Sequence, residues 1–151
     1  MDINIEMISS YKIAYIRRTG TYGSENVQIM EQLKSWAREN DLLNETSIIL
    51  GIAQDNPQLI EPKNCRYDTC LVVSDEFKAN NKYINFGKTM GGKYCVFKIS
   101  HTADAMQKAW MKIFSELSKR GYEFDDRRPS LERYKMEMVS EHYCEICVPI
   151  L

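Results

Sequence analysis

The sequence predicts an α+β fold: two βαββ units related by pseudo-twofold symmetry, with antiparallel-rich sheets, two main helices and a cleft at the seam. Three observations lead there. The order strand, helix, strand, strand occurs twice along the chain. Each helical segment carries one broad apolar stripe and so has one face to bury. The chain has 151 residues, 44% hydrophobic and 27% charged, enough for one well-packed domain over 1–151 with little room for a second.

The run from Lys12 to Ile16 (KIAYI) is short, aromatic and β-branched, and it stops at Arg17-Arg18-Thr19-Gly20. That is a strand entering a loop. Ser24 and Glu25 then suit a helix entry, and Val27, Met30, Leu33, Trp36 and Ala37 recur at helical spacing, giving a helix over 24–39. Ile48 to Ile52 reads as a strand that ends near Asp55-Asn56-Pro57, where proline forces the chain out of regular structure. Arg66 to Val73 is the next strand. In the second half, Gly91-Gly92 opens a strand over Lys93 to Ile99. Thr102 precedes a helix whose stripe is Met106, Ala109, Trp110, Ile113, Phe114 and Leu117. Lys119 and Arg120 suit its negative end, and Gly121 its C-cap. A strand is expected within Pro129 to Met138, and another over Tyr143 to Ile150.

An offset of 81 residues lays Lys12 on Lys93, Ile16 on Phe97, Leu33 on Phe114 and Trp36 on Leu117. An offset of 76 lays the last strand of the first half on the last of the second, Tyr67 on Tyr143. The expected halves are therefore about 1–75 and 82–151.

Twenty Lys and Arg against 21 Asp and Glu leave a net charge of -1. Such a balance offers no field for a phosphate backbone, so direct nucleic-acid binding is not expected. The opening MDINIEMISSYK has no basic region followed by an apolar run, and no apolar stretch approaches the roughly 18 residues needed to span a bilayer. The expectation is a cytoplasmic protein with no membrane contact. Five cysteines then read as reduced, buried thiols. Cys144 and Cys147 lie three apart in a strand, which turns them to opposite faces, so no metal is expected there. No GxxxxGK[ST], GxGxxG or HExxH occurs, and no cofactor is expected. His101 and His142 read as exposed loop residues.

Glu145 is the residue that calls for chemistry. In YCEICVPI, Cys144, Ile146, Val148 and Ile150 form one apolar face, and Tyr143, Glu145 and Cys147 the other. One reading pairs Glu145 with a lysine or arginine. The other sets it unpaired at the bottom of an aromatic cleft, ready for a cation or for acid-base work. Tyr67 and Tyr143, equivalent under the 76-residue offset, would line opposite walls of that cleft, with Tyr15, Tyr94 and Trp110 as further candidate ligand contacts. A glutamate acting on water is the catalytic alternative.

The run Tyr11 to Tyr22 (YKIAYIRRTGTY) resembles the opening strand and loop of the GyrI-like small-molecule-binding family, also found as the effector-binding part of multidrug-responsive transcription activators. Further matches follow in order: LKSWA at 33–37, Leu50-Gly51-Ile52 with Asp55-Asn56-Pro57, Cys65 to Asp68, Gly91 to Tyr94, Gly121-Tyr122-Glu123, Glu132-Arg133-Tyr134 and Glu145 to Ile150. The resemblance implies a duplicated βαββ fold whose cleft accepts lipophilic, often cationic, compounds, with an acidic residue on the last strand that matches Glu145. For a chain of this length it implies three roles: a drug-binding module, a modulator of DNA gyrase, or a hydrolase of cyclopropane-bearing toxins.

Overall fold

The computed structural model describes residues 2–23, 25–78 and 82–151. Eight strands form one antiparallel sheet: β1 (Asp2–Ile8), β2 (Lys12–Thr19), β3 (Ile48–Ala53), β4 (Arg66–Val72), β5 (Asn85–Lys88), β6 (Gly92–Ser100), β7 (Leu131–Lys135) and β8 (Tyr143–Pro149). Helix α1 (Glu25–Glu39) follows β2, α2 (Ala103–Lys119) follows β6, and the single turn α3 (Met136–Val139) links β7 to β8. The expected helix entry at Ser24 lies outside the described residues. At α2 the entry is as expected, with the Thr102 hydroxyl accepting from the Ala105 N–H at 3.1 Å, and Gly121 at φ +78° ends it.

The strand order β1-β6-β8-β7-β3-β4-β2-β5 reads as a palindrome of two βαββ units. β2, α1, β3 and β4 mirror β6, α2, β7 and β8, and the two halves join where β3 pairs with β7. Two edge strands were not expected from the sequence. β1 precedes the first unit yet pairs with β6 of the second, and β5 precedes the second yet pairs with β2 of the first. Each unit thus hands an edge strand to the other.

The register corrects one expectation. Ile13 faces Val72 in the β2–β4 pair and Tyr94 faces Pro149 in the β6–β8 pair, so the first strands are offset by 81 and the last by 77, not 76. A one-residue slip exchanges faces. Tyr67 is therefore equivalent to Cys144, and Asp68 to Glu145; Tyr67 and Tyr143 do not line one cleft.

Both main helices cover the same face of the sheet. Leu33, Trp36 and Ala37 of α1 pack on Ala14, Ile49 and Leu71, and Ala109, Ile113 and Leu117 of α2 pack on Cys95, Phe97, Ile146 and Val148. The opposite face curls on itself, gathering Ile8, Ile13, Leu50, Ile52, Tyr94, Val96 and Leu131 into a third cluster. Between α1 and α2, over the junction of β3 and β7, the helical face is open.

Candidate ligand-binding cleft

The floor of this opening comes from strand alternation in β7. Leu131 and Arg133 turn to the curled face and are fully buried, which aims Glu132 and Tyr134 between the helices. Across the junction Glu132 faces Gly51 and Tyr134 faces Ile49. Tyr67 reaches in from β4, one strand further away. A Cβ at position 51 would stand 2.0 Å from the Tyr67 hydroxyl oxygen and 3.3 Å from a Glu132 oxygen. Only glycine lets Tyr67 cross β3 to the carboxyl.

Glu132 accepts a hydrogen bond from the Tyr134 hydroxyl at 2.5 Å and from the Tyr67 hydroxyl at 3.3 Å on the same oxygen. Burial pushes its pKa above the ordinary glutamate range, and hydrogen bonds from Tyr134, Tyr67 and, third, Trp110 hold it back in part. Both phenols are driven up, first by burial and then by the Glu132 charge, so they stay protonated donors. Among the described residues no lysine or arginine pairs with Glu132. It is a half-buried acid without a counter-charge.

A chamber opens on each side. Toward α1, about 340 Å³ is lined by Val27, Met30, Lys34, Tyr67, His101 and Tyr134. The His101 ring meets Tyr134 edge-on at 5.4 Å, and burial, with Lys34 and His142 nearby, lowers its pKa. Toward α2, about 790 Å³ is lined by Gly51, the loop through Asp55 and Pro57, Trp110, Phe114, Phe124 and Glu132. Phe114 and Phe124 pack edge to face at 5.2 Å. Both volumes lie in the range of small-molecule sites.

Of the six residues expected to contact a ligand, Tyr67 and Trp110 meet at Glu132. The other four lie on or toward the curled face. Glu145, 8% exposed, is not the unpaired carboxylate of the cleft reading. The fully buried Arg133 donates to it at 2.9 Å, Lys135 stands 3.6 Å away, and Arg133 also forks onto Glu6 at 2.9 and 3.1 Å. Burial works against the Arg133 charge, but the bonds to Glu6 and Glu145 outweigh it. This network ties β1 to β7 and β8. Tyr143 is exposed beneath the Lys98 ammonium, 4.4 Å from its ring centre. Tyr94 is buried, donates to the Met90 carbonyl at 2.6 Å and lies under Arg128. Tyr15 carries Arg17 over its ring at 5.7 Å.

Sequence reasoning assigned no role to Glu132, although LERYK held the signal. An acid and a tyrosine two apart share a strand face, and that face is the one the apolar helices must cover. Cys144 lies against Met106 under α2, with the sulfurs 3.8 Å apart, whereas Cys147 joins the curled-face cluster. The two point apart as expected. No helix among the described residues is long and apolar enough to cross a membrane.

Comparison with known proteins adds to this geometry. The GyrI-like small molecule binding domain matches residues 1–151. The SPbeta prophage-derived protein YosT of Bacillus subtilis (strain 168), named as a candidate transcriptional regulator, is 40% identical over 151 residues, covering 99% of each chain. A DNA gyrase inhibitor of Cronobacter sakazakii (strain ATCC BAA-894) is 26% identical over 148 residues, 97% of this chain and 93% of that one. Among solved structures, the C-terminal domain of EcmrR superposes with a TM-score of 0.77 at 16% identity, covering 99% of this chain and 97% of that one. SAV2435, solved bound to tetraphenylphosphonium, gives 0.60 at 13% identity, covering 100% and 94%. Both structural likenesses speak to the fold.

Proposed function

This chain belongs to the GyrI-like small-molecule-binding domain family, and from that premise we propose that its seam cleft takes lipophilic cations with Glu132 as their counter-charge. One observation carries the reading: Glu132 is a half-buried carboxyl ringed by Tyr67, Tyr134 and Trp110, with no ion-pair partner among the described residues. A desolvated carboxylate is costly unless a positive group compensates it, so the site favours a ligand that brings one. The surrounding rings offer faces to the same charge, worth about 0.5 to 2 kcal/mol each. A neighbour of this fold solved with tetraphenylphosphonium supports the choice of ligand class.

The test is calorimetric titration with tetraphenylphosphonium and with triphenylphosphine oxide, a neutral compound of related shape. Glu132→Gln keeps the size and removes the charge. It should weaken the cation by about 1.5 to 3 kcal/mol, the range of a charge-assisted contact, and leave the neutral compound unchanged. Equal effects on both, or none, overturn the assignment. The raised pKa of Glu132 favours a second reading, in which it takes a proton from water as the water oxygen bonds to one ring carbon, the strained C–C bond breaks, and the proton passes from Glu132 to the carbon released. Mass spectrometry of a cyclopropane-bearing compound after incubation separates the two, since a binding module returns it unchanged.

A further inference from the structure

The curled face of the sheet holds a second cavity, about 240 Å³, enclosed by β2, the end of β3, the β5–β6 turn and the start of β7. Its floor is apolar, from Ile13, Ile52 and Leu131, and its walls include the rings of Tyr15 and Tyr94. It backs onto the seam cleft through the sheet, because Ile52 and Leu131 are the chain neighbours of Gly51 and Glu132 and point the other way. Its charge is of the opposite kind.

Arg17 supplies that charge. Its Nε and Nη2 bind the two oxygens of Asp68 at 2.7 and 2.8 Å, which occupies one edge of the guanidinium. The other edge, Nη1 with the second Nη2 hydrogen, donates to nothing among the described residues, and the side chain is 37% exposed. Asp68 is satisfied a third time by Gln54 at 3.0 Å, which leaves the Gln54 carbonyl oxygen available. The nearby Asp55 is occupied by Arg66 at 3.0 Å. With Lys88 at the rim, the lining carries two cations against one carboxylate, a net positive balance that disfavours a cationic ligand. An unused guanidinium edge above an apolar pocket has the geometry for a planar, two-oxygen acceptor carrying a hydrophobic tail.

We propose that this cavity is a second ligand site, for a small monocarboxylate with an aromatic or short aliphatic tail: the carboxylate on the free edge of Arg17 and the tail between Tyr94, Ile52 and Leu131. The size fits, since an apolar cavity of about 150 Å³ holds benzene.

The probe is phenylacetate, with phenylacetamide as its uncharged counterpart, titrated by NMR into the isotope-labelled protein. Phenylacetate should shift the backbone amides of Ile52, Gln54, Gly87 and Tyr94 saturably and bind about ten-fold or more tighter than the amide. Arg17→Lys preserves a charge for Asp68 and removes the fork, and should abolish that preference; Glu132→Gln should leave the phenylacetate affinity within about two-fold. Equal binding of acid and amide overturns the proposal. So do shifts centred on Tyr67, Tyr134 and His101, loss of phenylacetate binding in Glu132→Gln, or absence of saturable shifts at millimolar ligand. If Arg17→Lys does not fold, the acid–amide comparison and the shift map on the unaltered protein still decide.

Discussion

Gly51→Ala adds one carbon at the point where the cleft is assembled, and its effect follows from three distances. The new Cβ would lie 2.0 Å from the Tyr67 hydroxyl oxygen, 3.0 Å from the ring carbon that bears it and 3.3 Å from Glu132. The oxygen must retreat by more than an ångström, and its bond to Glu132, already 3.3 Å long, is broken. Overpacking costs about 1 to 3 kcal/mol and the lost bond to a carboxyl about 1.5 to 3. Gly51 has no left-handed φ, so alanine recovers about 0.4 to 1 kcal/mol through the unfolded chain. The net expectation is a loss of about 2 to 4 kcal/mol. In a Tyr67→Phe background the offending oxygen and its bond are already gone, and the same substitution should cost about 1 kcal/mol or less. Urea unfolding of the four proteins measures the coupling, provided m is unchanged. A cycle that is additive within about 0.5 kcal/mol refutes the argument that Gly51 exists to seat Tyr67 on Glu132.

Other outcomes are expected. Glu145→Gln should destabilise the fold by about 2 to 4 kcal/mol, because the buried Arg133 then keeps only Glu6 as a full counter-charge, yet leave cation affinity within about two-fold; a selective loss of affinity in calorimetry would return the site to Glu145. Because the folded-state pKa of Glu132 is raised, its contribution to stability is complete below the ordinary glutamate pKa and fades as pH rises through the raised one, while cation affinity climbs over the same window. Unfolding and binding measured against pH should show both trends, and Glu132→Gln should flatten them. All five thiols are buried, and burial pushes Cys144 and Cys147 up to about 12; thiol reagents should label the native protein slowly and the urea-unfolded protein at once.

The parts of the fold legible in the sequence were those written in a period. α2 could be read from Thr102 to Gly121 because the cap, the stripe and the terminal glycine agree. β8 alternates cleanly enough for its faces to be assigned. β1 and β5 were not legible, since each is an edge strand whose partner lies in the other half of the chain, 70 or more residues away from β5 and more than 80 from β1. The pairing of the two glutamates was not legible for a narrower reason. Glu145 sits between apolar residues whereas Glu132 has Arg133 beside it in the chain, and the sequence does not show that Arg133 neutralises Glu145 across the strands rather than Glu132. The offset of 76 rather than 77 compounded this, because it moved Tyr143 onto the face of Tyr67.

The duplication also explains why the strand junction that floors the cleft has one acid and not two. Under the 81-residue offset Gly51 and Glu132 are equivalent positions, and they face each other across the junction of the halves. Carboxylates at both would stand about 5 Å apart in a setting with little water, and one of them would hold its proton. Glycine at both would leave no carboxyl to accept from the Tyr67 and Tyr134 phenols. With glycine in the first half, that half gives the space and the Tyr67 phenol that crosses it; the second half gives the acid, Tyr134 and Trp110. The equivalents of Tyr134 and Trp110 under the same offset are Ala53 and Ile29, so the first half places no polar aromatic group at either position. A symmetric scaffold thereby places a single acid of the cleft floor at the junction of its halves, bordering the chamber toward α2 and flanked by the Tyr67 and Tyr134 rings that line the chamber toward α1.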